Sequence, residues 1–129
     1  MGYNLLESQW SLLKEIKVSN HNYIEALAEV PADSPWFSGH FPGEPILPGI
    51  AVIYMAEQAI IQDALAKGEQ VQLHALKRVR FTQLVRPEET LSLNISSEEA
   101  GEEILFSFKV SNKENIVCSG AIVAKKINK

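Results

Sequence analysis

Between Gly39 and Gly49 the chain places three prolines and three glycines in eleven positions, then enters a long apolar stretch. Proline locks φ, and glycine permits close approach or positive φ, so this loop's path is fixed by its own residues. Such rigidity serves to position something, and the loop contains one histidine, His40. The segment that follows, Pro48 to Ala66, is expected to be a helix. Ile50, Ala51, Val52, Ile53, Met55, Ala56, Ala59, Ile60 and Ile61 leave it almost wholly apolar through Ile61. A helix apolar all round is a buried one. Proline suits a first helical position, but Leu47 before it offers no side-chain oxygen to cap the amides of Gly49 and Ile50. Those amides are therefore available to a ligand. The positive end of the helix dipole lies behind them, so a carbonyl gaining negative charge would be polarised there, and Gly49 has no side chain to block it.

The rest of the sequence reads mainly as strands. Leu73 to Val85, Thr90 to Ser97, Ile104 to Ser111 and Ile116 to Lys125 are strand-like, with Ile104, Phe106, Phe108 and Val110 alternating against Leu105, Ser107 and Lys109. Gly101 and Asn112 to Asn115 mark turns. Leu12 to Val18 and Tyr23 to Val30 alternate in the same way, although Leu5 to Ile16 reads equally as an amphipathic helix. With 129 residues, 46% hydrophobic, and neither a repeat nor a low-complexity tract, a single domain over 1–129 is expected. The apolar run is shorter than the roughly 20 residues that span a bilayer, and no signal peptide opens the chain, so the expected location is cytoplasmic, away from the membrane. A net charge of −4 argues against nucleic acid as a ligand. The lone Cys118 excludes an internal disulfide and reads as a packed small hydrophobe. His21, His40 and His74 are widely separated and lack cysteine partners, so no metal site is expected.

The run Gly39, His40, Phe41, Pro42, Gly43, a variable residue, Pro45, Ile46, Leu47, Pro48, Gly49 resembles the signature of the β-hydroxyacyl-ACP dehydratases, most closely the FabZ type. A second stretch, Arg80 to Leu91, is similar to the strand and turn that follow the helix in that family. The resemblance covers most of the chain. It implies an α+β hotdog fold, an antiparallel sheet wrapped around a central helix, with active sites built between two protomers of a homodimer or higher oligomer. It also implies removal of water from a 3-hydroxyacyl thioester, His40 taking the C2 proton while a helix carboxylic acid serves the departing 3-hydroxyl. A neutral imidazole suits the first task. Phe41, Pro48, Gly49, Ile50 and Gln58 are the positions expected to line the substrate. No separate cofactor is implied, because dehydration has no redox step.

On the helix the sequence departs from the family. The carboxylate expected five residues after Gly49 is replaced by Tyr54, while Gln58 matches the glutamine that follows it. Either Tyr54 donates to the leaving hydroxyl, or Glu57, three residues along the helix on the same face, supplies the acid, or the chain binds an acyl thioester without turning it over. A buried Glu57 would have a raised pKa and so be a better proton donor near neutrality. The loss of the usual acid leans toward a specialised acyl or polyene pathway. Hotdog folds also support thioester hydrolysis, for which Glu57 would activate water or attack the carbonyl. Lys77, Arg78, Arg80 and Arg86 form a local basic patch on an acidic chain. That patch suits docking of an acidic acyl carrier protein, with a CoA thioester as the other substrate form.

Overall fold

The computed structural model describes residues 10–37, 45–113 and 115–127. Six strands form one antiparallel sheet: β1 (Leu13–Asn20), β2 (Tyr23–Glu29), β3 (Val71–Phe81), β4 (Thr90–Ala100), β5 (Glu103–Asn112) and β6 (Asn115–Lys126). Their order is β1-β2-β4-β5-β6-β3, which leaves β1 and β3 as the edges. Among the described residues one long helix, α1 (Gly49–Ala66), lies against one face. This is the hotdog architecture expected from the sequence.

The period of two explains which face is covered. Ile24, Ala26 and Ala28 of β2, Leu91, Leu93 and Ile95 of β4, and Ile104, Phe106, Phe108 and Val110 of β5 are buried, and their neighbours along each strand are more open. The helix meets them with Ala51, Val52, Met55, Ala56, Ala59 and Ile60, all at most 2% exposed. Alanine at three of these positions lets the helix sit close to the strands. At the other end of α1, Gly68 takes φ of +75°. Its N–H donates to Leu65 O at 3.0 Å and that of Glu69 to Ala64 O at 2.8 Å, the paired C-terminal closure that favours glycine.

Four expectations are corrected. First, Pro48 is the extended N-cap residue, with φ −67° and ψ 149°, rather than the first helical residue, and it makes no side-chain cap. Second, the helix is not buried all round: Ile50, Ile61 and Leu65 are 67%, 40% and 56% exposed, because the sheet covers one flank only. Third, β3 ends at Phe81, not Val85. Residues 82–85 leave the ladder, with Val85 O accepting from Leu47 N at 2.8 Å, so this segment ties the sheet to the approach to α1. Fourth, Leu13 to Ile16 belong to strand β1, which settles that part of the helix alternative; residues 5–9 lie outside the described residues. No helix of the described residues is long and apolar enough to cross a membrane.

Candidate active site

His40 and Phe41 lie outside the described residues, as does the rest of 38–44. The chain on either side of them is placed. Before them, Pro35–Phe37 form a short 3-10 turn; after them, Ile46 to Pro48 lead into α1. Trp36, four residues ahead of His40, is the structural link to the helix, its ring 6.0 Å from that of Tyr54. It is fixed from its other side as well. Its indole N–H donates to Trp10 O at 2.6 Å, and the two indoles meet edge to face at 4.7 Å.

Tyr54 is half-buried and belongs to a polar chain that crosses from the N-terminal segment to the helix. The Ser11 hydroxyl donates to Gln58 Oε1 at 2.9 Å, and Gln58 Nε2 donates to the Tyr54 hydroxyl oxygen at 3.4 Å. Tyr54 and Gln58 are one turn apart on α1, so the helix itself sets their approach. Glu57 lines a cleft of about 340 Å³ together with Leu73, His74, Ala75, Leu76 and Ile122. Tyr54 and Glu57 are three residues apart on α1 and so neighbours on its surface; Tyr54 lies against Trp36, and Glu57 lines the cleft with residues of β3. Desolvation by burial raises the Glu57 pKa above its ordinary value.

At the helix start, the amides of Gly49 and Ile50 meet no acceptor among the described residues. The approach to them differs from the one read in the sequence. The Phe81 ring stands over Gly49, where a Cβ would come within 2.7 Å of Phe81 Cζ. The missing side chain makes room for a strand residue. Pro48 is half-buried and Ile50 exposed.

Lys77, Arg78, Arg80 and Arg86 are all exposed. A bulge puts Arg78 at φ of +54° and lets Lys77 and Arg80, three residues apart, pair with Ala121 and Ser119, which are two apart. Both therefore face the side of the sheet away from α1. Lys109, opposite Ser119 on β5, shares that face. Lys77, Arg78, Arg80 and Lys109 form no ion pair among the described residues. Cys118 is fully buried, and desolvation pushes its thiol up to about 11, as suits a packed hydrophobe. Among the described residues no three His, Cys, Asp or Glu side chains cluster as metal ligands.

The structure adds Ser11, Trp10, Trp36 and Phe81 to the surroundings of the sequence-derived residues. Trp36 abuts the histidine loop in sequence, and its aromatic bulk was the available signal. Ser11 carried none, being 47 residues from Gln58.

Comparison with known proteins completes the picture. The family model described as ApeI dehydratase, ApeI-like, matches residues 15–121. The 3-hydroxyacyl-[acyl-carrier-protein] dehydratase FabZ of Levilactobacillus brevis is 32% identical over 98 residues, covering 70% of this chain and 66% of that protein. The FabZ of Lactobacillus helveticus is 27% identical over 129 residues, covering 92% of this chain and 86% of that protein. Among solved structures, the dehydratase heterocomplex ApeI:P from Xenorhabdus doucetiae superposes with a TM-score of 0.69 at 23% identity, over 89% of this chain and 97% of that one. A hypothetical thioesterase from Streptococcus pneumoniae, solved with coenzyme A, gives 0.71 at 9% identity over 89% of each chain. Both structural likenesses speak to the fold.

Proposed function

The chain belongs to the ApeI-like dehydratases, and from that membership we propose that it removes water from a 3-hydroxyacyl thioester to give the trans-2-enoyl thioester. The observation that carries this reading is Tyr54, held by Gln58 and set against Trp36 four residues ahead of His40 in the family motif. In the forward direction the His40 imidazole takes a proton from C2, and the electrons form the C2–C3 double bond. The C3–O bond breaks as the Tyr54 O–H gives its proton to the departing hydroxyl. Water leaves, and the proton gained by His40 returns to Tyr54 through solvent. The amides of Gly49 and Ile50 polarise the thioester carbonyl while charge develops on it. Pro48, Ile50 and Phe41 border the acyl group, and Gln58 acts on Tyr54.

The acyl group arrives on an acyl carrier protein, for which Lys77, Arg78, Arg80 and Arg86 are the basic surface, or on CoA. The working unit is a dimer, since a hotdog protomer leaves its β3 edge and one helix flank open. The partner is a second copy or, as in the ApeI:P heterocomplex, a different chain. One observation favours a second reading: Glu57 in its cleft, a half-buried carboxyl group suited to thioester hydrolysis.

Incubation with 3-hydroxyacyl and trans-2-enoyl thioesters on carrier protein and on CoA, followed by mass, separates these readings. Reversible gain and loss of water is expected, reduced at least about 100-fold in His40→Ala. Free thiol without water exchange would overturn the dehydratase reading in favour of hydrolysis, and a thioester bound but unchanged would make the chain a binding protein.

A further inference from the structure

We propose that Phe81 is a side-chain gate: its ring covers the start of α1 and swings aside before a thioester carbonyl reaches the Gly49 and Ile50 amides. This rests on the reading of those amides as the groups that polarise the carbonyl. The Cβ of a helical residue tilts toward the helix N-terminus, the direction in which the free N–H groups of the first turn also point. A Cβ at Gly49 would lie 2.7, 2.9 and 3.1 Å from Cζ, Cε1 and Cε2 of Phe81. The outer end of the ring therefore fills the space through which a ligand approaches that turn, and the two amides there have no acceptor among the described residues.

Only the side chain has to move. The backbone around Phe81 is tied down: Phe81 pairs with Cys118 in the ladder of β3 and β6, Thr82 N donates to Val117 O at 2.8 Å, and Leu47 N donates to Val85 O at 2.8 Å. The ring itself is half exposed, so rotation about χ1 carries it into solvent without opening the core. Leu47 and Val85, both buried, hold the helix entry in place meanwhile. Binding to a protein whose competent state is a minority is weakened by that fraction. A ring that covers the amides about nine-tenths of the time thus raises the apparent dissociation constant about tenfold, and a shorter side chain removes that penalty.

The test is steady-state addition of water to a trans-2-enoyl thioester by the full chain and by Phe81→Leu. Leucine ends at Cδ, so it keeps the packing next to the strand and loses the three ring atoms that reach Gly49. Phe81→Leu is expected to lower KM about tenfold with kcat unchanged, and an unchanged or raised KM would overturn the proposal. A second measurement is independent of turnover. The chain has seven glycines, so labelling glycine nitrogen alone gives a short set of amide resonances, among which Gly49 is the one that disappears in Gly49→Ala. Titration with saturated butyryl thioesters, on CoA and on carrier protein, should move this resonance in both proteins and saturate at about tenfold lower concentration in Phe81→Leu. A Gly49 resonance that neither thioester moves, or equal saturating concentrations, would refute the gate. If the parent chain adds no water at all, the dehydratase reading fails, while this titration still decides whether Phe81 guards the helix start.

Discussion

Glu57 shows how a single side chain carries both a chemical possibility and a stability cost. It lines a cleft with Leu73, His74, Ala75, Leu76 and Ile122, and desolvation by burial raises its pKa above the ordinary 4.5. In the unfolded chain that desolvation is gone. Between the two pKa values the folded state binds more protons, so the contribution of Glu57 to stability is fully present below the unfolded value and is lost as pH rises through the raised one. Glutamine is close to the protonated carboxyl in size and has no charge to desolvate. The variant Glu57→Gln is expected to melt with the parent chain at about pH 4 and above it at about pH 7.5, the gap opening as pH rises. Thermal melts across this range check it. A variant less stable than the parent at the higher pH would mean that the carboxylate has a compensating partner in the folded protein.

At the scale of elements, the contact of β3 with the start of α1 decides what Gly49 is for. A Cβ there would meet Cζ of Phe81 at 2.7 Å and Cε1 at 2.9 Å, yet this ring is 50% exposed and its far end can swing outward. Gly49→Ala is therefore expected to leave the fold intact and cost about 1 kcal/mol, the lower end for overpacking. In a Phe81→Ala background the same change should stabilise by about 0.5 kcal/mol, because alanine then keeps only its helical advantage. Denaturant titration of the four proteins measures both values, and equal costs in the two backgrounds would show that Phe81 is not the obstacle.

The same junction marks how far the sequence was legible. Strands β2, β4 and β5 were readable because burial on one face writes itself as alternation, and α1 because its apolar run has a glycine-proline entry. The end of β3 was not, since residues 82–85 keep strand-like side chains while their hydrogen bonds turn to Leu47 and Val117. The open flank of α1 was hidden for a different reason. Ile50, Ile61 and Leu65 are as apolar as the buried positions, and composition does not say which neighbour covers them. In the candidate site, spacing from Gly49 was enough to pick out Tyr54, whereas its link to Ser11 exists only in the folded chain.

The whole molecule has two sheet edges of different character. On β1 the outward row includes Lys14, Glu15 and Lys17, with Lys14 paired to Glu29 at 2.9 Å, the kind of charged edge that resists further pairing. On β3, Leu76 and Phe81 are 47% and 50% exposed, and the neighbouring helix flank adds Ile50, Ile61 and Leu65. That much open apolar surface beside an unpaired ladder marks a contact surface. Association through β3 would also bring a second chain to the Glu57 cleft, which Leu76 lines, and toward the helix start that Phe81 covers. The expected result is that the purified chain sediments as a dimer at micromolar concentration and that Leu76→Glu, which adds a charge to the β3 edge without entering the core, sediments as a monomer. Water addition should fall with it, because a site completed by the partner is lost when the partner leaves. Full turnover by a monomeric Leu76→Glu chain would mean that one protomer holds the whole site. A parent chain that is monomeric and inactive alone, but active after mixing with a second hotdog chain, would identify the occupant of this edge as a different protein.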